Sequence, residues 1–287
     1  MNDLLAVPNV SEGADLAVLE AIGAAFAAGG ARVLDRHADR DHGRAVFTLA
    51  GPPGTLHEAL VAGAREAIAR IDLRGHAGAH PHVGVLDVAP VVHLDDARRG
   101  AACAEALVLA DRLGDELDLP VVLYGLLGAG RTRAALRRGG PDALAARLAA
   151  GELRPDFGPA RARPRAGAVL VSARPPLVAF NLELAPPATA VDARAVAAAI
   201  REGGASGLPG VRAIGLGLAA RGGVAQVSCN VEDHRAVPLA RLLEAVERLA
   251  PVAEAELVGL APAAAFDGWP GRVAIRNRAT VEERLGL

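Results

Sequence analysis

Apolar positions fall into short runs separated by glycine, proline and charged clusters, and their spacing switches between strand and helix periods. Leu4 to Pro8 is a compact apolar run that predicts a strand. Residues 9–13, Asn-Val-Ser-Glu-Gly, predict a turn, with Ser11 or Asp15 as a helix cap. Leu16, Leu19, Ile22, Ala25 and Phe26 recur at helical spacing until Gly29-Gly30. Residues 31–35 predict a strand, 37–44 a polar loop and 45–50 a third strand. A turn at 51–54, Thr55 as a cap and helical spacing to Ile71 follow, and Val83 to His93 reads as a fourth strand. That order, βαββαβ, is the ferredoxin-like pattern.

Asp95 and Asp96 start a predicted helix through Leu113. Next come a strand at 119–123, a glycine-rich loop at 125–130 and a basic, alanine-rich helix over 132–150 broken at Gly139-Gly140-Pro141. An irregular segment from Arg154 leads to a strand at 168–172. From Leu177 the pattern restarts: a strand to Leu184, a helix over 192–202, and a hairpin of 211–218 with 224–231. A helix over 238–249 has proline near its first turn, and a strand at 255–260 and a short helix from Val281 close the chain. The repeat and Pro175-Pro176 divide the chain into residues 1–175 and 176–287. The predicted fold class is α/β (an α+β sandwich), two ferredoxin-like βαββαβ subdomains with a ligand cleft between them.

Composition narrows the function classes. With 52% hydrophobic but only 2% aromatic residues, the core must be built mostly from Ala, Val, Leu and Ile. A net charge of -2 gives no sign of a nucleic-acid or membrane partner. Two cysteines, no signal-peptide pattern and no long apolar window lead to the expectation of a soluble cytoplasmic protein.

The chemistry concentrates in residues 72–87, Asp-Leu-Arg-Gly-His-Ala-Gly-Ala-His-Pro-His-Val-Gly-Val-Leu-Asp. His76, His80 and His82 suit proton transfer or metal binding, because imidazole titrates nearest neutrality. Gly75, Gly78 and Gly84 permit tight backbone paths. Together with His37, Asp39, Asp41 and His42, the three histidines could also assemble a metal site. Gly128-Ala-Gly130 matches no phosphate-loop pattern, and the arginines of 132–150 read as a solvated face. Cys229 reads as a buried thiol and Cys103 as core. His57 and His234 read as surface or cap residues, His93 as a strand end and Trp269 as a packing residue.

Several strings, in order along nearly the whole chain, resemble the glutamate formiminotransferase family. They are Val7-Pro-Asn-Val-Ser-Glu-Gly13, His76-Ala-Gly-Ala-His-Pro81, Gly84-Val-Leu-Asp-Val-Ala-Pro90, Pro155-Asp-Phe-Gly-Pro159, Gly167-Ala-Val-Leu-Val-Ser-Ala-Arg174 and Ala225-Gln-Val-Ser-Cys-Asn230. The resemblance implies tetrahydrofolate as co-substrate, glutamate as the partner of formimino transfer, and a homodimer, without the helical cyclodeaminase domain fused in some members. It carries a catalytic histidine onto His80. A folate-binding segment falls on 158–167, with Gly158, Pro159, Arg161, Arg163, Arg165 and Gly167. Histidine can relay the proton that such a transfer requires, and anionic substrates call for arginine forks. Arg44 and Arg174 are therefore candidate substrate ligands, with Asp39 or Asp41 for a cationic amidine and His82 beside the catalytic histidine. No metal is needed for that chemistry.

Three departures from the family pattern stand out: Gly43 replaces an asparagine before Arg44, His82 replaces the arginine after His-Pro, and Leu216-Gly217 replaces an aromatic pair. They leave open a different amine or a formyl group, a silent folate-binding relative, or a metal-dependent hydrolase using His76, His80 and His82.

Overall fold

The computed structural model describes residues 3–287, and the chain divides into two compact units, Met1–Pro175 and Pro176–Leu287. In the first unit the opening strand is split by Val7-Pro8 into β1 (Leu4–Ala6) and β2 (Asn9–Val10). Proline has no N–H for a ladder. At the break Pro8 accepts from Phe47 N at 3.0 Å, and Val7 N donates to Pro90 O at 3.0 Å. Both pieces lie between β4 (Arg44–Gly51) and β5 (Leu86–Val92), antiparallel to each. The edge strand β3 (Arg32–Asp39) pairs with β4. Helices α1 (Leu16–Ala28) and α2 (Leu56–Arg70) complete a βαββαβ unit. A short 3-10 turn, Asp96–Arg98, then leads into α3 (Arg99–Leu117). Beyond it β6 (Val121–Leu123) and β7 (Val169–Arg174) extend the sheet in parallel with β5. Between them run α4 (Arg133–Arg137) and α5 (Gly140–Ala149).

Strand alternation splits the apolar side chains between two cores. Val121 and Val169 join Phe26, Phe47, Leu60 and Leu109 under α1, α2 and α3. Val122 and Leu170 join Leu136, Leu144 and Leu148 under α4 and α5. Several boundaries differ from the sequence reading. Asn9–Val10 is strand where a turn is predicted, and β3 runs on to Asp39 through the predicted polar loop. Pairing with β4 imposes both, because ladder bonds to a neighbour, rather than an apolar pattern, decide the state of these residues. Conversely, Val83 to Val85 lie outside β5: Val85 N donates to Ala166 O at 2.8 Å and Ala168 N to Val83 O at 3.0 Å.

The second unit repeats the plan with β8 (Val178–Leu184), α6 (Ala190–Ile200), β9 (Val211–Leu218), β10 (Val224–Val231), α7 (Leu239–Glu247) and β11 (Val252–Val258). A two-residue strand, β12 (Ile275–Arg276), too short to leave a period in the sequence, joins the sheet edge, and α8 (Val281–Leu285) follows. The sheet order is β12-β11-β8-β10-β9. Phe180, Leu182, Val227, Cys229 and Leu257 share a core with α6 and α7. Residues of the opposite parity are polar: Asn181 donates to Glu256 Oε2 at 3.0 Å, and Glu183 holds Arg276 at 2.6 Å and also Arg221. Burial alone would raise the Glu183 carboxyl, but the two guanidiniums outweigh it and hold it below its ordinary value. Among the described residues no helix is long and apolar enough to cross a membrane.

Candidate active site

The histidine loop is clipped onto the β3–β4 turn by its backbone. Ala79 N donates to Asp41 O at 2.9 Å and His80 N to His42 O at 3.3 Å. Gly43 makes the close approach possible. Its φ is 61°, and a Cβ there would stand 2.6 Å from Gly78 Cα and 2.8 Å from His76 Cε1. Gly78 is equally confined, so two glycines let two loops touch backbone to backbone. His76 fills the space beside them and meets His82 edge-on, ring centroids 4.3 Å apart. Gly43 and His82, two of the three family departures, thus flank the same imidazole.

This crossing brings His80 to Arg44 at the start of β4. His80 Nδ1 lies 3.0 Å from Arg44 Nη1 and 2.8 Å from Pro81 O. Arginine can only donate and a carbonyl can only accept, so the two contacts make opposite demands on Nδ1. The ring of His42, itself buried, stacks 6.0 Å from that of His80. Burial, then Arg44, Arg137 and His42, push the His80 pKa well below its ordinary value, against the pull of the Pro81 carbonyl. His80 is therefore neutral at neutral pH.

Arg44 is anchored rather than loose. Its Nε donates to Asn9 Oδ1 at 2.7 Å and its Nη1 to Asp87 Oδ2 at 2.8 Å. Asp87, on β5, is fully buried and also accepts from Val83 N at 3.0 Å and from Arg137 Nε at 3.2 Å, with Arg137 Nη2 on its other oxygen. Burial alone would raise the Asp87 carboxyl; Arg137 and Arg44 overcome it and hold it below its ordinary value. Desolvation lowers the Arg44 guanidinium to about 10 despite Asp87.

Asn9, Asp87 and Arg137 were not singled out by sequence reasoning as site residues, and His42 only as a candidate metal ligand. Arg137 corrects it most: the arginines of 132–150 read as a solvated face, yet Arg137 is only 10% exposed. Five-residue α4 is too short to show an inward face by periodicity. Asp87 alone had a signal, a carboxylate inside an apolar strand, which is costly to bury without a partner.

The remaining predicted residues are distributed more widely. Asp39 faces Arg44 across the β3–β4 ladder and accepts from His42 N at 2.8 Å, while Asp41 lies in the turn itself. Arg174 aligns with Val92 at the far end of β5, about 16 Å along the strand from Asp87 by the usual rise per residue, and is not brought to His80. Segment 163–167 runs beside the histidine loop, with Leu73 N on Arg165 O at 2.9 Å and Gly84 bridged to Gly167. The arginines of 158–167 have partners within the unit: Arg161 with Asp118 at 3.3 Å, Arg163 with Leu117 O at 2.6 Å, and Arg165 with Asp72 at 3.1 Å. Gly158, followed by half-buried Pro159, packs on the backbones of Gly114 and Leu119, and Gly167 on those of Val83 and Gly84.

Other expectations are also placed. His57, in the first turn of α2, is half-buried with Nδ1 2.7 Å from buried Glu105, while His234 is buried rather than on the surface. Cys229 is a buried thiol pushed up to about 12 by desolvation. Trp269 packs edge-on against Phe180 and donates to Val273 O at 2.9 Å. Among the described residues no group of three or more His, Cys, Asp or Glu is placed to hold a metal ion.

Residues 4–174 match the family described as "Formiminotransferase domain, N-terminal subdomain", and residues 179–268 match "Formiminotransferase domain". The chain is 38% identical over 270 residues to the formimidoyltransferase-cyclodeaminase of Gallus gallus, covering 89% of this chain and 49% of that one. It is 34% identical over 269 residues to the glutamate formimidoyltransferase of Streptococcus pyogenes serotype M1, covering 91% and 89%. Against the glutamate formimidoyltransferase of Thermoplasma acidophilum the identity is 33% over 268 residues, covering 89% and 87%. The chain spans about half the length of the formimidoyltransferase-cyclodeaminases it matches.

Proposed function

From the premise that this chain belongs to the formiminotransferase family, we propose that it moves a formimino group between N-formimino-L-glutamate and tetrahydrofolate, with His80 as the proton shuttle. The observation that carries this reading is the inward engagement of His80 Nδ1 by Pro81 O and Arg44. It leaves Nε2 as the ring nitrogen for chemistry. When Nδ1 carries its proton toward Pro81, Nε2 is a free base, the state a general base needs.

The transfer makes a bond from N5 of tetrahydrofolate to the formimino carbon and breaks the bond from that carbon to the glutamate nitrogen. No electrons are gained or lost, and one proton must pass from the attacking to the departing nitrogen. His80 takes it at Nε2 as the tetrahedral carbon forms. The imidazolium that results faces Arg44 and Arg137, which disfavour a second positive charge, so it yields the proton readily to the leaving amine. The cationic amidine carbon is served by Asp39 or Asp41 on the adjoining turn. Folate is assigned to the 158–167 segment, with Gly158, Pro159, Arg161, Arg163, Arg165 and Gly167, because residues 163–167 run beside the histidine loop. Arg161 and Arg165 keep exposed guanidiniums that can share a carboxylate tail with their present partners. Arg174, at the far end of β5, is then a ligand for that tail rather than for the reacting group, and His82 orients His76.

Single-turnover transfer from formiminoglutamate to tetrahydrofolate, followed by absorbance of the folate product with formylglutamate in parallel, tests the reading. His80→Ala is expected to abolish transfer while the thermal unfolding midpoint and tetrahydrofolate affinity stay near wild type. Unchanged turnover in that variant removes His80 from the mechanism. A homodimer and a cytoplasmic location belong to the same proposal, and light scattering on the purified protein tests the first.

A further inference from the structure

The charges around Asp87 do not balance. One fully buried carboxylate faces two guanidiniums, Arg44 and Arg137, whose side chains are only 12% and 10% exposed. Arg133, one turn before Arg137 on α4, adds to the positive field at Arg44; its own contact is with the Tyr124 ring, 5.8 Å from the centroid. Among the described residues Asp87 is the one carboxylate ion-paired with Arg44 or Arg137. The nearby acids Glu12 and Asp39 accept from backbone N–H groups, Glu12 from Ala14 and Asp15 and Asp39 from His42, and neither is ion-paired with Arg44 or Arg137. The neighbouring imidazoles supply no negative charge. A surplus cation held largely out of water is costly unless an anion meets it.

The free donors lie on that surplus. Arg137 uses Nε and Nη2 on Asp87, while Arg44 uses Nε on Asn9 and Nη1 on Asp87 and His80. Nη1 of Arg137 and Nη2 of Arg44 are the amino groups left for a ligand. Asp87 fixes both side chains, so little rotamer freedom is lost when they bind, which favours a preorganised site.

We propose that Arg137 and Arg44, set by Asp87, form an anion subsite that holds a carboxylate of the amine substrate beside His80. It rests on the transferase reading above for the identity of that substrate as an amino-acid derivative. Arg137 is then the specificity-determining residue, which holds the substrate by its carboxylate while His80 handles the proton. The carboxylate could instead come from the glutamate tail of folate, and the two sources separate experimentally.

The test is equilibrium binding by calorimetry, without turnover, on wild-type protein and on Arg137→Met and Arg137→Lys. The probes are L-glutamate, tetrahydrofolate and tetrahydropteroate, the last lacking the tail. Arg137→Met is expected to weaken L-glutamate about 10- to 100-fold, the value of a charge-assisted pair. Tetrahydrofolate should be unaffected, and Arg137→Lys should recover part of the loss. The KM for formiminoglutamate should rise in step, with kcat changed less. Loss confined to tetrahydrofolate, with tetrahydropteroate unaffected, assigns the arginines to the tail and overturns the proposal. Unchanged binding of every probe overturns it outright. Because Arg44 still pairs Asp87 in Arg137→Met, a circular dichroism melt separates lost binding from lost fold, and Arg137→Lys carries the test if Met does not fold. Wild-type protein that binds L-glutamate through Arg137 yet transfers nothing would sink the transferase reading and leave the subsite standing.

Discussion

His80 Nδ1 sits between a donor and an acceptor, Arg44 and the Pro81 carbonyl, and that geometry gives the site its pH dependence. The folded imidazole is held below its ordinary value of about 6.5, so it stays neutral as the solution is acidified through that point. The acid limb of kcat/KM is therefore expected below pH 6.5. Arg44→Met removes a cation from beside the ring, so the His80 pKa rises and the limb moves to higher pH. A pH–rate profile of the two proteins checks this, and an unmoved limb would show that Arg44 does not set the histidine. The same shift acts on stability. The unfolded histidine takes up a proton below about pH 6.5 while the folded one does not, so its contribution declines as pH falls from there toward the folded pKa. At this scale His80, Arg44 and the glycines were legible in the sequence, because their spacing and residue types carry meaning locally. Arg137 was not, because nothing beside it in the chain says that it reaches a carboxylate 50 positions away.

Capping of α2 shows the same limit among elements. Thr55 is the predicted cap, but its hydroxyl donates to Pro52 O at 2.9 Å and makes no cap bond. Buried Glu105 of α3 takes that role, accepting from Gly54 N at 2.5 Å and His57 N at 2.7 Å. Glu105→Gln is expected to cost about 1–3 kcal/mol, the usual penalty of weakening hydrogen bonds to a buried charged group. Urea denaturation measures it, and a loss below about 0.5 kcal/mol would mean that the helix start is held by packing alone. Elements with a strong period of their own, such as the β9–β10 hairpin over 211–218 and 224–231, came out of the sequence at their observed bounds. Those whose state is decided by a partner did not: β3 extends because β4 pairs with it, and β12 exists because β11 offers an edge.

In the whole molecule, each unit has its own sheet, the first with an apolar core on either face and the second with one. Residues 176–287 produced alone are expected to unfold cooperatively, since α6 and α7 already cover the apolar face of their sheet. A sigmoidal thermal melt by circular dichroism supports this; a featureless melt would show that the second core does not suffice by itself. The sequence by itself determined the repeated βαββαβ order and the glycine-rich histidine loop, because hydrophobic period and glycines act over a few residues. Only the tertiary structure decided which side chains share a charge. The burial of Asp87 with Arg44 and Arg137, and the packing of Gly43 against Gly78 and His76, join segments distant in the chain. Such contacts are selected by the desolvation cost of a charge or by the space a Cβ would need, and neither leaves a period in the sequence.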